Sequence, residues 1–182
     1  EARGDTLLFL HADVLVPPDA IEGLEAGLAG QPFIGGNFDL VFTGDSWWSR
    51  FFTWANRVRR KFGIYYGDSG IFVRRTVFER LGGFKPIPIM DDYEFVRRLE
   101  RLGRTVCLPA TLKVSDRRWR ERGIPRTLLS WIWIQTLFSA GVPAEFLARW
   151  YQPVRAGQQT PPEHGKQPSS ASSQTNSASQ RN

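Results

Sequence analysis

The sequence predicts an α/β domain, a sheet flanked by helices, and three observations carry that reading. Residues 7–10 read Leu-Leu-Phe-Leu without interruption, and an apolar run lacking alternation suits a strand covered on both faces, as in parallel sheets. Downstream, short strand-like stretches alternate with segments whose apolar residues recur at helical spacing. Residues 1–155 also supply enough chain for one domain with a real core. Residues 156–182 contain no Val, Ile, Leu, Met, Phe, Tyr or Trp. They cannot bury enough apolar surface to offset their ordering entropy, so a disordered tail is predicted there.

The elements follow in order. The first strand stops at His11-Ala12-Asp13, and Pro17-Pro18 ends the extended segment. Ligands of α/β sheets gather beyond the carboxyl ends of the strands, which places Asp13 where chemistry is usual; an Asp also simply suits a turn. Residues 19–29 predict a helix, with Ile21, Leu24 and Leu28 at helical spacing and Asp19 near its start. Gly35-Gly36 leads into an alternating strand from Asn37 to Phe42. Residues 47–62 predict an aromatic helix with Trp47, Phe51, Trp54 and Val58 on one face, for core packing first and acceptor stacking second. A short strand at 71–73 precedes a helix at 76–81 closed by Gly82-Gly83. Residues 91–102 predict a helix with Phe95, Leu99 and Leu102 inward and Gly103 at its end. Residues 106–108 and 111–114 predict two strands or one broken strand, residues 126–140 a long helix, and residues 143–151 a short one. No internal repeat is visible.

The long helix carries Trp131, Ile132, Trp133, Ile134 and Leu137, largely opposite Gln135, Thr136 and Ser139. Its apolar run is shorter than the ~20 residues that cross a bilayer. Core packing is the leading expectation. The alternative is a helix lying in a membrane interface, beside an apolar or lipid-linked acceptor.

Composition excludes some classes. The net charge of +6 rests on clusters of Arg around positions 57–61, 97–104 and 117–122. Such clusters attract phosphates or anionic headgroups, or are solvated helix faces. No helix-turn-helix, RNA-recognition or zinc motif accompanies them, so nucleic acid is not expected as a partner. Cys107 is the only cysteine, which rules out an internal disulfide and predicts a small core residue. His11 and His164 are the only histidines, and His11 has no nucleophile partner for a Ser-His-Asp apparatus.

Met90-Asp91-Asp92-Tyr93-Glu94 holds three acids in a helical first turn, where the dipole favours negative charge. Helix design explains acids there. Adjacent carboxylates nevertheless repel, and one of the pair in a partly closed cleft would serve as a general base.

Five ordered motifs carry a resemblance: Leu8-Phe9-Leu10-His11-Ala12-Asp13, Gly67-Asp68-Ser69-Gly70, Phe78-Glu79-Arg80-Leu81-Gly82-Gly83-Phe84, Met90-Asp91-Asp92-Tyr93-Glu94 and Arg117-Arg118-Trp119. From about residue 5 to 155 the chain resembles the GT-A-fold glycosyltransferases of the family-two type, in particular a bacterial subgroup associated with radical-SAM and selenoprotein-type domains. The resemblance implies an inverting, metal-dependent and non-processive transfer of sugar from a nucleotide-diphosphate sugar to a hydroxyl acceptor. Asp13 matches the ligand of Mg²⁺ or Mn²⁺ on the donor diphosphate. His11 replaces the first Asp of that signature and is expected on the donor's ribose or phosphate. Asp92 matches the catalytic base, and Asp91 stands where Glu is commoner. Gly67, Asp68, Arg118 and Trp119 match acceptor-side positions, but the Gln of processive synthases is absent.

The chain enters a core-like strand almost at once, which predicts that the N-terminal half of the GT-A domain lies upstream and that this portion alone is inactive. The implied setting is cytoplasmic, peripheral at the inner membrane face. Two alternatives stay open: a decayed, non-catalytic relative, and a metal-dependent nucleotidyltransferase.

Overall fold

Strand β1 (Thr6–Phe9) turns Leu7 and Phe9 to one side and Leu8 to the other, and both sides find apolar cover. The computed structural model describes residues 2–115 and 124–150, so Arg118, Trp119 and residues 156–182 lie outside the described residues. The described part is α/β: a mixed five-stranded sheet flanked by helices. The further strands are β2 (Val14–Leu15), β3 (Gly35–Thr43), β4 (Ile71–Arg74) and β5 (Thr105–Ser115). The helices are α1 (Ala20–Leu28), α2 (Trp47–Arg60), α3 (Arg75–Arg80), α4 (Asp91–Leu102), α5 (Ile124–Ser139) and α6 (Ala144–Trp150).

Strand order is β1-β4-β3-β5-β2. Only β3 and β5 run parallel; β1 pairs antiparallel with β4, and β2 antiparallel with β5. The parallel setting expected for the first strand is therefore corrected. Its unbroken apolar run reports cover on two faces, not strand direction, and here the strand occupies an end of the sheet.

One face of the sheet packs Phe38, Leu40, Phe42, Phe72, Leu108 and Leu112 against Leu24 and Leu28 of α1 and Phe52 of α2. The other packs Leu7, Ile71 and Val73 against Phe95, Val96 and Leu99 of α4. Each large side chain so buried stabilises the fold by roughly 1.5–3 kcal/mol. The two candidate strands at 106–114 are one strand with an irregularity. Phe38 lies opposite Leu108 and Asp39 opposite Thr111, leaving Pro109 and Ala110 as two extra residues on β5.

Three inward assignments are corrected. Ile21 is half exposed, and Ala20 takes its place beside Leu24 and Leu28. Cys107 is exposed, pointing away from the face that buries Leu108. Helix α2 exposes Trp47 and Trp54 and buries Ser49 and Phe52. Polar bonds set that rotation: Thr53 Oγ1 accepts the Phe42 N–H at 3.1 Å, and Arg57 pairs with Asp39 at 2.6 Å. Both lie on the Ser49 side of the helix, which therefore faces β3.

Several of the described Arg residues are internal ties. Arg60 donates to Asn37 and Thr105 and pairs with Glu100. Arg98 pairs with Glu94 and donates to the carbonyls of Leu81 and Gly83. Helix α5 splits the two expectations held for it. Trp131, Ile134, Leu137 and Phe138 pack with Met90, Tyr93 and Leu147, while Leu129, Ile132 and Trp133 are exposed. No helix among the described residues is long and apolar enough to cross a membrane.

Candidate active site

Three segments distant in sequence meet beyond the end of β1. The first is the turn after that strand, closed by the Val14 N–H donating to the His11 carbonyl at 3.3 Å; it exposes His11 and Asp13. The second is a single 3₁₀ turn, Gly67–Ser69, fastened by the Ser69 hydroxyl donating to the Tyr66 carbonyl at 2.7 Å. The third is the start of α4.

Two glycines let these segments approach. Gly70 adopts φ 67°, and a Cβ there would lie 2.8 Å from the Leu112 side chain. At Gly67 a Cβ would lie 2.5 Å from His11 Nε2, so only hydrogen fits between the imidazole and the turn. Gly67 also donates its backbone N–H to Asp92 Oδ2 at 2.7 Å, and the Tyr93 N–H donates to Asp92 Oδ1 at 2.7 Å. His11 and Asp92 are thus brought to the same glycine.

Met90 presents the acid pair. It is buried and is the one non-glycine with positive φ among the described residues, at φ 62° and ψ 19°. A left-handed side-chain-bearing residue costs about 1–2 kcal/mol, and such strain gathers at functional sites. The left-handed turn starts α4 so that Asp91 stays exposed while Asp92 is tucked toward Gly67. Both line a cleft of about 390 Å³ together with His11 and Gly67.

Electrostatics couple the segments. Burial raises the carboxyl of Asp92 above its ordinary range, opposed by the two backbone N–H donors; Asp91 adds to the rise and His11 counters it. Burial likewise pushes Asp68 up to about 6, with Asp92 and Asp13 adding and His11 and the Ser69 backbone opposing. His11 thus opposes the rise at both Asp92 and Asp68, while neighbouring carboxylates add to it directly. Asp68 itself borders a different hollow, of about 220 Å³, with Asn37, Arg57 and Arg60. Asp13 belongs to the His11 turn and lines neither space.

The donor set suits a hard divalent cation in kind but not in number. Carboxylate oxygens are the right ligands for Mg²⁺ or Mn²⁺. Among the described residues, however, no three His, Cys, Asp or Glu side chains gather as a metal site. Asp13 fits such an ion only with phosphate oxygens completing the shell, the usual arrangement for Mg²⁺ on a nucleotide.

The sequence marked the long helix as a candidate neighbour of an apolar acceptor but did not show that it walls this cleft. Trp131 and Ile134 of α5 line it, and α5 is anchored by Tyr66, whose hydroxyl donates to Gln135 Oε1 at 2.6 Å and whose ring stacks on Tyr93. The aromatic pair Tyr65-Tyr66 before Gly67 was the available signal. Nothing in the sequence marks Met90 as left-handed. Comparison with known proteins returns no match, whether to family models, curated proteins or solved structures.

Proposed function

We propose that the chain is a GT-A-type glycosyltransferase, moving sugar from a nucleotide-diphosphate sugar to a hydroxyl with inversion. One observation carries the reading: His11, from the turn that also holds Asp13, and Asp92 of the Asp91-Asp92 pair lie far apart in sequence yet come together at Gly67 beside one cleft. The mixed sheet with helices on both faces is compatible with that fold.

The chemistry follows from the residues. An acceptor hydroxyl in the cleft attacks the anomeric carbon, forming the new C–O bond as the bond to the diphosphate breaks. Asp92 takes the hydroxyl proton; its raised proton affinity suits a base better than an ordinary surface carboxylate would. The two backbone donors hold both Asp92 oxygens in place, so its geometry is set before substrate arrives. Asp13 would hold a divalent cation against the donor phosphates, and that cation would supply charge neutralisation for the leaving group. His11, exposed beside Gly67, would contact the donor, and Asp91 would orient the acceptor.

The test is transfer by the full-length protein from a panel of nucleotide sugars, followed by mass spectrometry of the product. Asp92→Asn and Asp13→Ala are each expected to abolish sugar transfer. Robust turnover by either variant refutes the assignment, and a product carrying nucleotide in place of sugar turns it into a nucleotidyltransferase.

A further inference from the structure

We infer that the acceptor taken by this cleft is an alcohol with an apolar body, a terpenoid or long-chain alkyl alcohol, its hydroxyl beside Asp92 and its hydrocarbon against Leu10, Phe84, Ile89, Met90, Trp131 and Ile134. The inference rests on the transfer reading and adds the class of acceptor.

The lining decides between acceptor chemistries. Among the described residues its polar side chains are His11, Asp91 and Asp92, and all three cluster about Gly67 and the start of α4. The remaining walls formed by described residues are apolar: Ile134 and Met90 are buried, and Phe84, Ile89 and Trp131 are partly so. A sugar acceptor carries a hydroxyl on nearly every carbon, and each one left unpaired on entering such walls is penalised. An alcohol with a single hydroxyl places its one polar group among the three acid and imidazole side chains. Its body then removes apolar surface from water on both sides. The cleft, at about 390 Å³, lies in the range that holds a small organic ligand.

Such an alcohol could arrive dissolved or from a bilayer. Helix α5, which forms one wall, also exposes Leu129, Ile132 and Trp133.

Saturation-transfer NMR of the full chain with geraniol and with methyl β-glucopyranoside tests the class. Saturable geraniol binding is expected, with no competition from the glucoside. Leu10→Glu, at a 41% exposed position that tolerates charge, should weaken geraniol about tenfold or more. Trp131→Ala is the second variant and should do the same. Glucoside binding without geraniol binding, or unchanged geraniol affinity in both variants, overturns the inference. Sugar transferred to the glucoside alone also overturns it while leaving the transfer reading standing. Geraniol bound but glycosylated from no nucleotide sugar keeps the cleft assignment and removes the transfer reading. Farnesol offered in phosphatidylcholine vesicles separates the sources. Uptake that Trp133→Ala slows, with dissolved geraniol unaffected, supports a bilayer-held alcohol; equal uptake supports a dissolved one.

Discussion

The backbone N–H of Gly67 and Oδ2 of Asp92 meet at 2.7 Å, with His11 Nε2 packed over the same glycine. A methyl group at Gly67 has no room unless the imidazole moves. Gly67→Ala is therefore expected to displace His11 and loosen Asp92, lowering transfer about 10²-fold, the usual penalty for misplacing a reacting group by an ångström. Steady-state kinetics beside a thermal melt checks this: activity should fall far more than stability.

Asp68 links stability to pH. Its carboxyl is pushed up to about 6 in the fold from the 3.8 of an unperturbed Asp. The folded chain then holds a proton that the unfolded chain releases between these values. The Asp68 contribution to stability should therefore be full near pH 4, be lost as pH rises through 6, and stay absent above. Asp68→Asn is expected to flatten that slope and to stabilise the protein at pH 7 by about 1 kcal/mol after screening. Urea titrations at pH 4 and 7 read the difference.

Met90 sets two effects against each other. Truncating a buried Met costs about 2–5 kcal/mol, but glycine at its left-handed backbone recovers about 1 kcal/mol of strain. Met90→Gly should therefore be milder than a comparable truncation at the fully buried Leu147. Met90→Val should be worse than Met90→Gly, because a β-branched side chain is least tolerated at positive φ. Chemical denaturation of the three variants checks the order.

Arg98 fixes the approach to the acid pair. It pairs with Glu94 at 2.7 Å and donates to the carbonyls of Leu81 and Gly83, while Lys85 reaches Glu94 at 2.6 Å. Together these bonds brace the segment leading to Met90. Glu94 is held below its ordinary proton affinity: burial works to raise it, and the bonds and charges of Arg98 and Lys85 outweigh that. Arg98→Ala should destabilise by about 2–3 kcal/mol, since the carbonyls of Leu81 and Gly83 lose this donor and Glu94 is left with Lys85 alone. It should also raise backbone exchange over residues 81–90, which hydrogen-exchange mass spectrometry reads.

Where a segment's local signals agree, the sequence is legible. Asp91–Leu102 has acids in its first turn, Phe95 and Leu99 at core spacing and Gly103 at its end, and the observed helix has those bounds. The aromatic helix is legible as a helix but not in its rotation. Trp47, Trp48, Phe51, Phe52 and Trp54 offer apolar groups on more than one side, and the choice fell to Thr53 and Arg57, whose partners lie on β3. At the site, His11 beside a strand end and Asp92 in a helical first turn were legible as candidate site residues. Their approach was not, because it depends on the absent side chain of Gly67 and on a left-handed Met90 that no local pattern announces.

The irregularity in β5 carries an evolutionary consequence. Pro109 and Ala110 are a pair, and an even number of extra residues keeps Leu108 and Leu112 on the same side, opposite Phe38 and Leu40. Deleting one of them would turn half the strand inside out, sending Leu112 toward water and Lys113 toward the core. Loss of both together would leave the pattern whole. Length variation among descendants of this gene should therefore arise here in twos, and a single-codon deletion should be lethal to the fold.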